Sequence, residues 1–81
     1  MYSVYILFSS SLNRYYVGQT QDMELRLARH NTKQVTSTKN GVPWKIVYIV
    51  EVSSRSLAMN LENKIKKRGA GRYLSDIGIV L

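Results

Sequence analysis

Two short stretches near the start of the chain decide its fold: SVYILF at residues 3–8 and YYVGQ at residues 15–19. Both are rich in β-branched and aromatic residues, and both therefore predict strands. The first stretch is almost continuously apolar, which is typical of a strand buried on both faces. The Ser/Asn-rich segment 9–14 is short, so it predicts a loop that joins the two strands as an antiparallel hairpin.

The predicted hairpin brings two tyrosines together. If the turn centres on residues 10–12, Tyr5 and Tyr16 lie near each other across the strand pair. Gly18 falls inside the second strand, where a glycine indicates either a bulge or a place where another group approaches the backbone closely. The hairpin therefore predicts a pair of neighbouring tyrosines beside a backbone position with a special requirement.

A first helix follows the hairpin. Thr20 or Asp22 can cap a helix over residues 23–30, because both side chains can accept a hydrogen bond from a free backbone N–H of the first turn. Within that helix Arg26 and His30 are four residues apart and share one face. Asn31 is a residue type that commonly ends a helix, so we expect the helix to stop there.

The next segments predict a long loop and a third strand. Residues 32–43 are polar and contain a glycine and a proline, and loops of about a dozen residues in compact domains are often functional. Residues 44–52 are rich in Ile, Val and Tyr, which favours a strand. The element order to this point is β-β-α-β.

A second helix is predicted from the serine-rich turn to the first cluster of late glycines. Ser53 or Ser54 can cap it, and it runs to about Arg68. Its predicted buried stripe comprises Leu57, Ala58, Leu61 and Ile65. The Gly-Ala-Gly sequence at residues 69–71 stops the helix, and residues 73–81 predict a short helical turn and a tail.

Composition limits the function. The 81 residues form one small domain, which excludes a two-domain enzyme. The absence of Cys excludes a disulfide scaffold, a thiol nucleophile and a cysteine-ligated metal centre. No apolar run approaches the roughly 20 residues of a membrane span, and no signal peptide is evident, so we expect a cytoplasmic domain. The net charge of +7 favours a polyanionic partner, most simply nucleic acid.

Two tripeptides carry a resemblance to a known family. The sequence Val4-Tyr5-Ile6, followed by Tyr16-Val17-Gly18, resembles the paired GIY and YIG strands of the GIY-YIG nucleases. Val4 stands where the family has Gly, and Val17 stands where it has the central Ile. Both tyrosines match, and the tyrosine is the functional part of the first motif.

Three later segments add to the resemblance in the family's order. Arg26 followed by His30 is similar to the family's helix, in which an Arg precedes a His or Tyr by four residues. Residues 43–48 resemble the third strand of the small stand-alone members, and residues 58–67, with Glu62, resemble the helix that carries the metal-binding Glu. The resemblance covers roughly residues 2–74 and implies a single domain over residues 1–81.

The resemblance implies a fold and an activity. The fold is a small α/β domain, in which a three-stranded, mainly antiparallel sheet is flanked by helices. The activity is metal-dependent hydrolysis of phosphodiester bonds in DNA, of the kind used in DNA repair. Tyr16 would act as the base or relay for the attacking water, and Tyr5 would orient it. Arg26 would contact the scissile phosphate, and His30 would position the water or take a proton. Glu62 would bind one divalent ion, Mg²⁺ or Mn²⁺.

Basic residues supply a predicted nucleic-acid surface. One group lies at the end of the second helix and another lies in or near the long loop. The members are Lys64, Lys66, Lys67, Arg68 and Arg72 in the first group and Lys33, Lys39 and Lys45 in the second. They are interpreted as a rim that contacts phosphates beside the active site. The alternative is a solvated helix end on which cations are favourably placed.

Two other interpretations remain open. Each candidate has a structural explanation: half-buried strand aromatics for the tyrosines, an exposed polar face for Arg26 and His30, and an i, i+4 ion pair with Lys66 for Glu62. The chain could then be a non-catalytic nucleic-acid-binding module on the same scaffold. A protein-interaction domain, with the apolar tail 77–81 as its contact, is the third possibility. DNA versus RNA, a targeting protein partner and the oligomeric state stay open.

Overall fold

The predicted hairpin lies in a three-stranded antiparallel sheet. The computed structural model describes residues 1–79. The strands are β1 (Tyr2–Ser9), β2 (Arg14–Thr20) and β3 (Trp44–Val52), in the spatial order β2-β1-β3. The helices are α1 (Met23–Asn31), α2 (Arg55–Arg68) and α3 (Ala70–Asp76), with a 3₁₀ turn at Lys39–Gly41. Of the helices in the described part of the chain, none is long and apolar enough to cross a bilayer.

The register of the hairpin explains why residue 18 is a glycine. Tyr5 lies directly opposite Gly18, and Leu7 lies opposite Tyr16. The two tyrosines are therefore diagonal neighbours, and their ring centroids are 6.5 Å apart, as the sequence predicts. A Cβ atom on Gly18 would lie 2.5 Å from the Tyr5 hydroxyl oxygen, which shows that the glycine admits the tyrosine side chain. The sequence left a bulge or a close approach as alternatives for Gly18, and the close approach is confirmed. The register shift of the sheet lies elsewhere, between β1 and β3.

The central strand β1 is buried on both faces, as its continuous apolar sequence predicts. On one face, Val4 and Ile6 pack against residues of α2 and α3, namely Ala58, Ile65 and Leu74. On the other face, Tyr5 and Leu7 pack with Trp44 and with Met23 and Leu27 of α1. Each fully buried aliphatic side chain stabilises the fold by about 1.5–3 kcal/mol relative to an exposed one. The sheet thus separates two cores, and the tyrosines belong to the α1 side.

Side-chain caps fix the beginnings of the two longer helices. Asp22 accepts a hydrogen bond from the backbone N–H of Leu25 at 3.0 Å, and Ser54 accepts one from Leu57 at 3.2 Å. Asp22 and Ser54 are therefore the caps among the predicted alternatives. At the other end of α2, Gly69 has a φ of 91°, which is a conformation that favours glycine. The sharp turn there ends α2 as predicted.

Two details of the predicted helices are wrong. Leu57 is 50% exposed rather than part of the buried stripe. Around the helix axis it lies about 100° from Ala58 and about 80° from Ile65, so it falls at the edge of the buried face. The third helix begins at Ala70 and not near residue 73, because the turn at Gly69 lets a helix restart at once and bury Leu74. Residues 80 and 81 of the predicted tail lie outside the described residues.

We predict a large difference between two apolar residues of α2. Ile65→Ala should lower the free energy of unfolding by about 2–5 kcal/mol, because it leaves a cavity in the core. Leu57→Ala should change it by no more than about 0.5 kcal/mol, because half of that side chain already faces solvent. Urea denaturation followed by circular dichroism measures both values. Equal losses for the two variants would contradict the position assigned to Leu57.

Candidate active site

A chain of hydrogen bonds connects α1 to the central strand and to the following loop. The Nε–H of Arg26 donates to the hydroxyl oxygen of Tyr5 at 3.2 Å. The same hydroxyl group lies 3.1 Å from Nε2 of His30. On the other side of the ring, His30 Nδ1 lies 2.7 Å from Oγ1 of Thr38, and that hydroxyl donates to the carbonyl of Val35 at 3.3 Å. Four side chains and one carbonyl thus form one continuous network.

The network has one direction in which every proton has an acceptor. The Thr38 hydroxyl donates a hydrogen bond to the Val35 carbonyl, so the hydroxyl oxygen accepts one from the Nδ1–H of His30. Nε2 of His30 then carries a lone pair and accepts from the hydroxyl of Tyr5, whose oxygen accepts from Arg26. In the reverse direction Nε2–H of His30 and Nε–H of Arg26 would both donate to the Tyr5 oxygen, and the Tyr5 proton would have no acceptor within the network. The contacts therefore assign the neutral Nδ1–H tautomer to His30.

Burial keeps the two central members neutral. The side chains of Tyr5 and His30 are fully enclosed, with 0% exposure. Desolvation by burial lowers the pKa of His30 below its ordinary value, and the positive charge of Arg26 lowers it further. Burial likewise raises the pKa of the Tyr5 hydroxyl, although the hydrogen bond from Arg26 opposes the increase. Tyr5 thus remains a hydrogen-bond donor and His30 remains an acceptor at neutral pH.

The loop that supplies Thr38 is fixed by the start of β3. The indole Nε1–H of Trp44 donates to the carbonyl of Thr38 at 2.8 Å. The backbone of Trp44 is held in turn by the amide side chain of Asn31, which accepts from its N–H at 2.6 Å and donates to its carbonyl at 3.2 Å. The end of α1 and the start of β3 therefore clamp the loop, and Thr38 is 1% exposed as a result.

Tyr16 and Arg26 lie where the network reaches the surface. Both are partly exposed. The Tyr16 ring lies 5.0 Å from the His30 ring and 6.3 Å from the Trp44 ring, measured between centroids. The pKa of Arg26 is raised above its usual range, chiefly by the hydrogen bond with Tyr5 and in smaller part by Tyr16. These two side chains can therefore meet a ligand that Tyr5 and His30 cannot touch.

Glu62 lies on α2, which packs on the opposite face of the sheet from α1. Its side chain is 17% exposed, and Oε2 lies 2.5 Å from Nζ of Lys66. Its negative charge is the smallest of the contributions that raise the pKa of Tyr5. Glu62 thus forms the i, i+4 ion pair that was the structural alternative, and its charge also acts on the hydroxyl of Tyr5.

The carboxylate of Glu62 is the candidate metal ligand of this site. Within residues 1–79, no three His, Asp or Glu side chains come together as a ready-made cage. Mg²⁺ is nevertheless often held by one or two carboxylates together with waters and substrate phosphates. Glu62 already holds one positive group, the ammonium of Lys66, on its carboxylate. The residues therefore fit a cation that binds together with the substrate.

The basic residues of the α2 and α3 region do not form a single surface. Lys66 contacts Glu62, whereas Lys64 and Lys67 lie on another face of α2. There they line a surface depression of about 660 Å³ together with Asn60, Asn63 and Arg68. The Arg68 guanidinium also donates to both carboxylate oxygens of Asp76, at 2.7 and 3.0 Å, and holds the pKa of that carboxyl below its usual range.

The other predicted basic residues are exposed. Lys33, Lys39 and Lys45 lie in or beside the segment that joins α1 to β3, and Arg72 lies on α3. The structure thus brings Tyr5, Tyr16, Arg26 and His30 together on the α1 side of the sheet, and Glu62 lies on α2, close enough for its charge to affect Tyr5. Lys66, one of the eight predicted nucleic-acid contacts, contacts Glu62.

Sequence reasoning missed Thr38 and Trp44, which position the buried histidine. The length of the segment 32–43 was the one available signal, since it marked the loop but no residue within it. Arg14 and Tyr15 were missed as well. They line a groove of about 530 Å³ with Tyr16 and Lys66, whereas the sequence placed Arg14 only in the predicted loop and Tyr15 only in the predicted strand.

Comparison with known proteins identifies the scaffold. A family model described as the GIY-YIG catalytic domain matches residues 1–73. The chain belongs to the GIY-YIG family. This confirms the predicted resemblance and supports a nuclease-type function at the level of the family.

The relatives of this GIY-YIG domain are UPF0213 proteins. Two of them, from two strains of Streptococcus pneumoniae, are 38% identical to it over 55 residues, which is 67% of this chain. The match covers 56% of each relative, so the chain spans little more than half their length. A UPF0213 protein from Bacillus halodurans, solved by NMR, has a TM-score of 0.57 and 26% identity and matches 96% of this chain and 86% of its own. It confirms the predicted α/β fold.

Replacing Thr38 tests the buried network of the GIY-YIG domain. Thr38→Val keeps the shape but removes the acceptor for His30 Nδ1–H, and a buried donor without a partner costs about 1–3 kcal/mol. The free energy of unfolding should fall by that amount in urea denaturation. Thr36→Val, at an exposed position of the same loop, is the matched control and should have little effect. A Thr38 variant as stable as the control would show that the contact does not hold the ring.

Acid should destabilise the fold through His30. In the unfolded chain a histidine has a pKa of about 6.5, and burial lowers the pKa in the folded state. As the pH falls below about 6.5, the histidine therefore binds a proton in the unfolded state more readily than in the folded state. The free energy of unfolding falls as a result. The free energy of unfolding should decrease between neutral and mildly acidic pH more steeply in the wild type than in His30→Gln. The same slope in both proteins would contradict a buried neutral ring.

Proposed function

We propose that this GIY-YIG domain is a metal-dependent endonuclease that hydrolyses phosphodiester bonds in DNA. The observation that carries the proposal is the arrangement of three partly exposed groups around a buried, neutral hydrogen-bond network. Tyr16, Arg26 and Glu62 are the exposed groups, and Tyr5 and His30 are the centre of the network. This arrangement supplies a base, a phosphate-binding cation and a metal ligand, which are the groups that phosphodiester hydrolysis needs.

Arg26 is oriented to bind the scissile phosphate. Its Nε–H is committed to the hydroxyl of Tyr5, so its four remaining N–H groups, on the two terminal nitrogens, are left for phosphate oxygens. A guanidinium held in one orientation can bind two phosphate oxygens at once, and such charge-assisted pairs are among the stronger hydrogen bonds. Arg26 would also stabilise the negative charge that develops on those oxygens during attack.

Tyr16 is the tyrosine that can contact the attacking water, because Tyr5 is fully enclosed. As the base, Tyr16 would accept a proton from that water in its phenolate form. The charge of a phenolate is attracted by the guanidinium of Arg26. The aromatic contacts of Tyr16 with His30 and Trp44 fix the ring and hence the position of its oxygen.

His30 and Tyr5 act as positioning groups in this proposal. His30 is enclosed, so it reaches the site through the hydroxyl of Tyr5 and not by contact with water. Its lone pair on Nε2 accepts a hydrogen bond from the Tyr5 hydroxyl. The Tyr5 oxygen is then free to accept a hydrogen bond from Arg26. The network therefore orients the guanidinium with two neutral groups that do not compete for the phosphate.

Glu62 would hold one divalent cation, and Mg²⁺ or Mn²⁺ is the ion that suits a carboxylate. When bound, such a cation supplies charge stabilisation for the phosphate and for the leaving oxygen. Lys66 would then release Glu62 and become available for a phosphate oxygen. The net charge of +7 supports a nucleic-acid substrate. Target choice would come from DNA structure or from a partner protein, because so small a domain makes few contacts to base edges.

The test is a cleavage assay with Mg²⁺ or Mn²⁺ on supercoiled plasmid, single strands, flaps and branched DNA. The wild type should cleave, and Tyr16→Phe and Glu62→Gln should each lose about 10²–10⁴-fold in rate while still binding DNA. Glu51→Gln removes an exposed carboxylate from β3 and should cleave like the wild type. Chelation of the metal should abolish cleavage.

Two outcomes would contradict the proposal. If the wild type and Glu62→Gln bind DNA but are equally inactive on every substrate, the chain is a non-catalytic nucleic-acid-binding module. If neither protein binds nucleic acid in a salt-dependent manner, the partner is not a polyanion. In a second series of the same assay, RNA substrates replace DNA and decide between the two nucleic acids.

A further inference from the structure

Most residues that line a groove beside Tyr16 have no role in the chemistry described above. It has a volume of about 530 Å³ and lies between the start of β2 and the facing residues of α2 and α3. The lining includes two cations, two aromatic rings and an amide, contributed by Asn13, Arg14, Tyr15, Tyr16 and Lys66. Because β2 is an edge strand of the sheet, the groove follows an open side of the molecule.

Tyr15 forms one side of this groove and is held in place by its neighbours. Its ring lies 5.0 Å from the ring of Phe8, its partner across the strand pair. On α3, a Cβ atom at Gly71 would lie 3.3 Å from the Tyr15 ring, so the glycine lets the ring lie against the helix. The residue nevertheless remains 36% exposed. An aromatic ring that is fixed but partly open is a suitable surface for stacking.

The charges of the groove suit a phosphate that follows such a ring. Arg14 is exposed at the start of β2, and Lys66 extends from α2 with half of its side chain in solvent. A base that stacks on an aromatic ring while its phosphate contacts cations is the usual way in which proteins bind single-stranded nucleic acid. A paired base inside a duplex has no free face to offer, so the aromatic part of the groove favours an unpaired nucleotide.

The groove is continuous with the proposed catalytic site. Tyr16 lines it and is also the proposed base, and Lys66 lines it and contacts the metal ligand Glu62. A nucleotide bound there would therefore be adjacent to a phosphate bound by Arg26. This spatial relation connects substrate selection to the chemistry.

We propose that the groove binds the unpaired nucleotide that flanks the scissile phosphate, with its base on Tyr15 and its phosphate on Arg14 and Lys66. The domain would then select DNA that contains a single-stranded stretch. This inference rests on the proposed nuclease function, because it assumes that the neighbouring phosphate is cleaved. Binding of a nucleotide in the groove can nevertheless be measured without any cleavage.

The experiment is a fluorescence-anisotropy titration in EDTA with labelled oligothymidylate and with a DNA duplex of equal length. Tyr15→Leu should weaken single-strand binding about tenfold, because it removes a stacking ring, and should leave duplex binding unchanged. Tyr15→Phe keeps the ring and should bind like the wild type. Single-strand binding that is as tight in Tyr15→Leu as in the wild type, or an equal loss on both substrates, would overturn the proposal.

A charge variant keeps the test decisive if Tyr15→Leu fails to fold. Arg14→Gln should lower the slope of log K against log salt for the single strand by about 0.7, as expected for one lost phosphate contact. Arg55→Gln removes the same charge from the exposed start of α2, outside the groove, and should keep the wild-type slope. Equal slopes for wild type, Arg14→Gln and Arg55→Gln would also overturn the proposal.

The two proposals fail in different ways. Single-strand binding that depends on Tyr15 in a protein that cleaves nothing would overturn the nuclease function and leave the groove assignment standing. Metal-dependent cleavage of fully paired DNA, together with single-strand binding that ignores Tyr15 and Arg14, would overturn the groove assignment and leave the nuclease function standing.

Discussion

The directed hydrogen-bond chain from Arg26 through Tyr5 and His30 to Thr38 is the interaction on which the site depends. It works because its two central members are buried and uncharged. A charged histidine in that position would repel Arg26 and would need an acceptor on each nitrogen. The neutral ring instead accepts a hydrogen bond from the Tyr5 hydroxyl, and the tyrosine oxygen can then accept one from Arg26. A buried network thereby sets the orientation of a cation at the surface.

The sheet allows this network to be both enclosed and close to the surface. Alternate residues of β1 face opposite sides, so Val4 and Ile6 build the core under α2 and α3 while Tyr5 faces α1. Gly18 lies opposite Tyr5 and leaves room for its ring. On the neighbouring edge strand, Tyr16 reaches the solvent from the same face. One strand pair therefore supplies both the enclosed tyrosine and the accessible one.

Most of the fold could be predicted from the sequence because local patterns and tertiary packing agree. The apolar run at 3–8, the strand at 44–52 and the cap at Asp22 are local signals, and the structure confirms them. Leu57 was misplaced because it lies at the edge of the apolar face of α2, and the spacing does not show how far the neighbouring elements cover that edge. The early start of α3 depends on the backbone conformation of Gly69, which composition does not specify.

The catalytic candidates were predicted through the resemblance to the family, whereas the residues that hold them in position were not predicted. Thr38 and Trp44 gain their roles from contacts between the loop, α1 and β3, which join residues eight and six positions apart across an irregular segment and leave no periodic signal. The groove of Arg14 and Tyr15 likewise exists only after α2 and α3 pack beside β2. The predicted basic rim was a set of sequence neighbours, and the helix distributes Lys64, Lys66 and Lys67 over different faces.

The most direct test of this account is the protonation state of His30, measured by long-range ¹H–¹⁵N NMR. The chain has a single histidine, so its ring signals need no assignment by mutation. At neutral pH the ring should be neutral, with the proton on Nδ1 and a free lone pair on Nε2, as the contacts with Thr38 and Tyr5 require. A proton on Nε2, or a charged ring at that pH, would contradict the directed network.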